Sequence, residues 1–352
     1  MLAGSFLGLF MSGVIAASPG AVFPSWQREL HIDHELAYYF NSFLVGVMVS
    51  IALANRSRMR HPWYSLALVT AAAALVGISL APSFAVVVVS ALFLGLAVGT
   101  INVHSNGLPG DLFPENRILV LFRVNAAFGI GSVCGPLLMT FLPWRTSYLL
   151  FAVVAVAAAL LVLKAPQVAT TPGTRGERRA AGLLPLVFLT VSVYTGLEVG
   201  LATFSGQYLG YLGYPERLTG LLLSLYWAGL TLGRLTLGGF FSSRPLRGLS
   251  IFLSATVLAV GFFFFPPLAH FFPLAGFLVG PTFPTFVSMA QLRFGPGATG
   301  YMLYAGALGG TLAPALLALL PVTTLPLGLF SLSLVLATLT LYLLGRNASA
   351  TL

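Results

Sequence analysis

Runs of about 20 consecutive apolar residues recur along this chain from end to end, each long enough to cross the hydrocarbon core of a bilayer. Twelve such runs are expected, at 4–24, 36–55, 62–81, 84–107, 118–142, 146–164, 183–210, 218–241, 248–266, 269–291, 298–320 and 325–345. The ninth and tenth divide at Pro266-Pro267. The residues are 58% hydrophobic and 7% charged, with a mean hydropathy of +0.95. Soluble domains carry about a quarter charged residues, so no water-soluble fold covers itself with this little charge. Lipid has to be the solvent for most of the exterior. There, backbone groups must be satisfied internally, which points to an all-α membrane protein. The 22 prolines and 38 glycines are tolerated in membrane helices, where neighbouring helices re-satisfy the freed groups. The first run, Gly4 to Pro24, lacks a basic n-region and reads as a spanning helix rather than a signal peptide.

The charges test the count. With the N-terminus inside, the inner connections hold Arg56, Arg58 and Arg60, then Arg117 and Arg123, then Lys164, Arg175, Arg178 and Arg179. Arg244, Arg247, Arg293 and Arg346 follow, with Arg234 near the inner end of the eighth run. Of the 17 basic residues only Arg28, Arg145 and Arg217 then face out. That asymmetry is the positive-inside rule, and both termini are expected in the cytoplasm. Clustering between apolar runs also excludes a nucleic-acid surface as the meaning of the +9 net charge. The basic residues are all arginine except Lys164, and Leu, Ala and Pro are abundant; that composition suggests a GC-rich bacterial source and hence a plasma (inner) membrane.

Two halves are expected, 1–164 and 183–352, joined by a polar cytoplasmic linker at 165–182 that contains Thr170-Thr171-Pro172-Gly173-Thr174. The halves repeat. Gly131-Ser132-Val133-Cys134-Gly135-Pro136 parallels Gly309-Gly310-Thr311-Leu312-Ala313-Pro314, and Gly95-Leu96-Ala97-Val98-Gly99 parallels Gly276-Phe277-Leu278-Val279-Gly280. Both offsets are about 180 residues, half the chain. A six-plus-six parallel repeat suggests a secondary transporter whose halves rock around a site near the midplane.

Four stretches carry a resemblance. They are Tyr194-Thr195-Gly196-Leu197-Glu198-Val199-Gly200, Tyr226-Trp227-Ala228-Gly229-Leu230-Thr231-Leu232-Gly233-Arg234, Phe283-Pro284-Thr285-Phe286, and Phe128-Gly129-Ile130-Gly131 running into Gly135-Pro136. On these the chain resembles the major facilitator superfamily along its full length, and within it the fucose–galactose–glucose symporters and sodium-dependent glucose transporter-like proteins. The resemblance implies twelve helices in two bundles, with helices one, four, seven and ten lining the cavity. It implies uptake of a small hydroxylated solute coupled to a proton or sodium. Departures accompany it. The connection Ala54-Asn55-Arg56-Ser57-Arg58-Met59-Arg60 lacks the superfamily's Asp and glycine-rich turn, Asn102 stands where the sugar symporters carry a coupling carboxylate, and the first span has no acid.

Glu198 is the one acidic residue well inside an expected span, about 15 residues or roughly 22 Å past the inner start of the seventh. A carboxylate at that depth costs several kcal/mol unless paired, hydrated or protonated. It is a candidate proton or sodium site, with Tyr194 one turn back as hydrogen-bond partner. The competing reading is a carboxylate fixed by neighbouring helices. Asn102, His104 and Asn106 in the fourth span, and Asn125 in the fifth, are candidate substrate contacts; interhelical glue is their alternative. His104 is equally a proton relay or a packed core histidine. Tyr226 and Trp227 suit stacking on a sugar ring, or plain packing, and Thr285 completes the substrate set. Arg123 and Arg234 lie near the inner ends of their helices. Arg234, roughly 10 Å from the inner surface, reads as too shallow to pair with Glu198, leaving Asp111 and Glu115 as gate partners. Snorkelling to lipid phosphate is the alternative.

Other chemistry finds little support. His31-Ile32-Asp33-His34-Glu35 is a weak match to metal-ligand spacing, and no metal is expected. No phosphate-cradling Gly-x-x-x-x-Gly-Lys loop exists, which excludes ATP-driven transport by this chain alone. Cys134, the single cysteine, allows no internal disulfide. No nucleophile–base–acid set lies within a span, so an enzyme is not expected. The expected carrier needs no cofactor beyond the coupling ion, and one chain holds both halves that a monomer requires. The rival function is a proton antiporter exporting amphipathic, drug-like compounds, suggested by Gly131-x-x-x-Gly135-Pro136 and the Phe-rich second half.

Overall fold

The computed structural model describes residues 1–32, 35–57, 59–165, 168, 183–295, 297–317 and 319–349, and contains no strand among them. The expected linker 165–182 lies outside these residues apart from Ala165 and Val168, as do Asp33 and His34. Ten helical segments are long and apolar enough to cross a membrane. The 17-residue α3 (Trp63–Ser79) and the amphipathic α8 (Glu216–Thr236) bring the spans to twelve among the described residues.

The chain forms two compact units, Met1–Pro114 with Ala127–Pro172, and Glu115–Ala126 with Gly173–Leu352. In the first, α2 (Leu36–Arg56) lies along α4 (Phe84–Leu112), α3 packs on α4 and on α6 (Trp144–Leu163), and α1 (Leu2–Leu30) packs on α4 and α6. In α5 (Arg117–Phe141) the residues through Ala126 belong to the second unit.

In the second unit, α7 (Leu184–Tyr211) packs on α13 (Ala298–Leu317) and α14 (Leu325–Ser349). The eighth expected span ends in a separate short helix, α9 (Gly238–Ser243), after Thr236. The ninth, α10 (Pro245–Gly261), stops earlier than expected. Tight turns at Phe262–Phe264 and Pro266–Phe271 follow it, because Pro266 and Pro267 cannot donate to a continuing helix. The tenth divides into α11 (Pro273–Val279) and α12 (Thr282–Phe294) around Gly280-Pro281.

Two helices overrun their expected ends by five residues or more, for reasons outside hydropathy. The last turn of α1 holds Glu29, whose carboxylate accepts the Trp144 indole N–H at 2.9 Å, beside a buried Trp26. The last turn of α4 holds Asp111, paired with Arg60. Polar partners from neighbouring segments extend both helices past their apolar runs.

The sequence repeat is a packing repeat. A side chain at Gly131 would overlap the Phe10 carbonyl of α1, and one at Gly309 would overlap the Ser192 carbonyl of α7. Gly95 likewise meets the Phe43 carbonyl of α2, and Gly276 that of Tyr226 in α8. Backbones approach this closely only where a hydrogen replaces Cβ, the usual device for joining helices in lipid. Outward faces carry apolar side chains such as Phe141, Leu258 and Leu316, more than half exposed, which need hydrocarbon around them.

Candidate buried ion-pair site

The 28-residue α7 is apolar enough to span, and Glu198 interrupts it midway. An ionised carboxylate there needs a cation, and α8 supplies Arg234. The Nη2 nitrogen of Arg234 lies 3.2 Å from Glu198 Oε1, with the side chains 3% and 10% exposed. The same nitrogen donates to the Tyr194 hydroxyl at 3.3 Å. Nη1 donates to the Asn125 carbonyl at 3.3 Å and Nε to the Gly280 carbonyl at 3.1 Å.

The Gly280 carbonyl is available for a local reason. In an α-helix its donor would be the backbone N–H four residues on, and that residue is Pro284, which has none. The motif Phe283-Pro284-Thr285-Phe286 thus frees a carbonyl that a buried guanidinium takes.

The pairing corrects the expectation that Arg234 is too shallow. With α7 and α8 running antiparallel through a short turn, residue 229 stands opposite 198, so Arg234 is five residues off. At 1.5 Å per residue that is about 7.5 Å along the axis, a gap that a long arginine stem covers when it climbs toward its counter-charge. Helical rise measures Cα depth, and the guanidinium sits at the end of a flexible arm.

Around the pair, Tyr194 is fully buried and stacks on Phe283 with centroids 6.3 Å apart. The Tyr226 hydroxyl donates to the Glu198 backbone carbonyl at 3.0 Å, and its ring stacks on Phe272. Tyr226 is thus enclosed by protein, while Trp227 beside it is half-buried. Thr285 turns its hydroxyl onto the Pro281 carbonyl at 2.7 Å and is fully buried. The Asn125 amide donates to Leu121 O, one turn back on α5.

The first unit buries a second pair. Arg60, in the connection after α2, meets Asp111 on α4, with the side chains 3% and 11% exposed. Within its own unit Asp111 thus has an arginine partner that the expected gate set did not include; Arg123 and Glu115 of that set are both exposed. Burial holds the Arg60 guanidinium below the usual arginine range and Asp111 pulls it back up. Nearby, the Tyr64 hydroxyl lies 2.7 Å from the Gly4 carbonyl and 2.8 Å from the Ser105 hydroxyl. His104 presents its ring edge to Tyr64 at 5.9 Å, is 1% exposed, and has no hydrogen-bond partner at either nitrogen among the described residues. Asn102 donates to Ser12 Oγ of α1 at 3.3 Å and to Val98 O, and Asn106 donates to Asn102 O.

The family profile described as Major Facilitator Superfamily matches residues 5–318. The chain belongs to that superfamily. It is a multi-pass membrane transporter with the major facilitator fold. Solved structures agree on the fold. The superfamily transporter FucP in its outward conformation is 14% identical, with a TM-score of 0.76 over 97% of this chain and 98% of its own. A second structure, of the E. coli fucose:proton symporter FucP, gives 14% identity and 0.75 over the same shares. The human organic anion transporter TETRAN is 17% identical, with a TM-score of 0.68 over 97% of each chain. Among curated proteins none matches the sequence significantly.

For this superfamily member, sequence reasoning singled out Glu198, Tyr194, Arg234 and Asn125, which the fold brings together, although the last enters through its backbone. It missed Arg60 and Tyr64 as partners in the first unit. Arg60 was one of three arginines in the same connection, and nothing along the chain distinguishes it from Arg56. A signal for the Glu198–Arg234 pair did exist. Glu198 and Arg234 are the charges inside the expected spans of the second half, and each needs the other.

Proposed function

We propose that the protein is a secondary active transporter working by alternating access, which moves a small polar solute coupled to a proton through Glu198. The observation that carries this reading is the buried Glu198–Arg234 pair. Two charges withdrawn from water give no net stability over well-packed apolar residues, so their retention in a membrane helix calls for a use. Protonation of Glu198 cancels one charge and leaves Arg234 seeking another anion, which gives the site two electrostatic states. A coupled cycle needs such states to differ in free energy between orientations. Sodium is the competing coupling ion, and a sugar-like solute is the substrate expected from the resemblance. A fold shared with a fucose:proton symporter and an organic anion transporter leaves both solute types to test. The distribution of arginines supports an inner membrane with both termini in the cytoplasm.

Purified protein in liposomes tests this reading. Labelled solutes should accumulate under an imposed proton gradient and not under sodium alone. Glu198→Gln should abolish accumulation while leaving solute exchange. Accumulation by that variant equal to wild type would remove Glu198 from the coupling. Extrusion of lipophilic dyes in the same vesicles, with no solute uptake, would select the rival reading of an amphipath exporter.

A further inference from the structure

We infer that Arg234 is an anion site that Glu198 occupies at rest, and that the transported solute carries a carboxylate which takes Glu198's place once Glu198 is protonated. This rests on the coupling role proposed above and adds the substrate class.

Three features support it. First, the guanidinium is held independently of Glu198. Its Nε and Nη1 contacts go to backbone carbonyls of Gly280 and Asn125, and Nη2 also meets the Tyr194 hydroxyl. When Glu198 becomes neutral, Arg234 remains in place as a buried cation, and a buried cation needs an anion. Second, the Glu198 contact is one oxygen on one nitrogen at 3.2 Å. Arginine binds carboxylates best as a fork, with two parallel N–H···O bonds, so the single contact is the weaker way for this cation to hold a carboxylate. Third, Glu198 is the more exposed partner, 10% against 3% for Arg234. Solvent therefore touches the carboxylate more than the guanidinium.

The charges balance. Glu198 accepts one proton on a carboxylate oxygen and becomes neutral, while one carboxylate monoanion arrives at Arg234. The site carries no net charge before or after loading. One proton and one monoanion then move together without net charge, whereas a proton with a neutral sugar carries one positive charge. Among the described residues, the titratable groups that face Glu198 come from α7 and α8. Tyr194 comes from α7 itself, and Tyr226 and Arg234 come from α8. The α5 contact is the Asn125 carbonyl, that between α11 and α12 is the Gly280 carbonyl, and α12 sets Phe283 against Tyr194.

The experiment pairs each acid with its neutral counterpart, gluconate with glucose and lactate with glycerol, in proteoliposomes of the full chain. Wild type should accumulate a carboxylate roughly tenfold for a gradient of about one pH unit. A potassium–valinomycin potential should not change that figure. Glu198→Gln should exchange the carboxylate at a rate independent of pH and accumulate none. The double variant Glu198→Gln/Arg234→Gln leaves no unpaired buried charge, so it should fold; it should lose carboxylate exchange and the carboxylate's protection against heat. The inference is overturned if only the neutral partners move, if no carboxylate in the panel is transported or protects wild type from heat, or if carboxylate accumulation follows the potential. Accumulation of glucose that Glu198→Gln abolishes would keep the coupling role and sink the substrate class. Carboxylate accumulation unchanged in Glu198→Gln would sink the coupling role and this inference with it.

Discussion

Both units bury an arginine against a carboxylate, with a tyrosine four residues from one member, and both cross their helices at glycines in equivalent places. They differ in where along the helices the charges sit. In the first unit Arg60 lies in a connection and Asp111 in the last turn of α4, at the ends of the spans. In the second, Glu198 sits midway along α7, and Arg234 reaches back from the last turns of α8. The same chemical parts therefore do different work. Both pairs are equally withdrawn from solvent, but one at the end of a span has a short way to water and headgroups, whereas one midway along a span does not. Breaking the latter requires a proton, a ligand or a large penalty. Arg60, lowered by burial yet still an arginine, stays cationic at neutral pH, which suits a fixed strap. The Glu198 pair suits a switch.

The comparison is exposed to four tests. The largest effect belongs to the shared crossings. Gly131→Leu and Gly309→Leu each place a side chain in a neighbouring backbone, and neither protein should elute as a folded monodisperse species from detergent gel filtration. Tolerance of one and not the other would end the equivalence of the halves. Next, Arg234→Ala leaves Glu198 buried without its partner, an expected loss of about 3–5 kcal/mol. Arg60→Ala also leaves a buried carboxylate without its partner, but at the end of α4, where water has less far to come than to the middle of α7, so a smaller loss than that of Arg234→Ala is expected. Thermal melts in detergent rank the two, and equal losses would erase the contrast in depth. Adding Glu198→Gln to Arg234→Ala should recover much of the deficit.

A smaller effect on stability, though decisive for function, separates the acids. Asp111→Asn should leave gradient-driven accumulation within about twofold of wild type, while Glu198→Gln lowers it roughly tenfold or more. Equivalent losses would make both pairs part of the coupling. The smallest expected change comes from the tyrosines. Tyr226→Phe removes the bond to the Glu198 carbonyl, and Tyr64→Phe removes those to Gly4 and Ser105, at about 1 kcal/mol each in chemical unfolding.

Much of the architecture was legible along the chain because a bilayer imposes a length. Apolar runs gave the spans, and arginine clusters marked the connections. Paired glycines such as Gly131 and Gly309 announced a repeat whose meaning, close backbone contact, emerged in the packing. Errors fell where side chains from other helices govern. The overruns of α1 and α4 follow from Trp144 meeting Glu29 and Arg60 meeting Asp111. Proline gave a mixed signal. Pro266 and Pro267 marked the end of a span, but the consequence of Pro284, a freed Gly280 carbonyl aimed at an arginine, needs the neighbouring helix in view.

Read alone, the amino-acid order determined that Glu198 lies at hydrocarbon depth, since depth is counted in residues along one helix. Tertiary structure decided which cation answers it. That choice depends on lateral packing and on the reach of a flexible side chain, and rise along a helix axis records neither. Arg234 and Arg60 look alike as letters near the ends of expected spans. Their neighbours make one the counter-charge of a mid-span carboxylate and the other a brace at the edge.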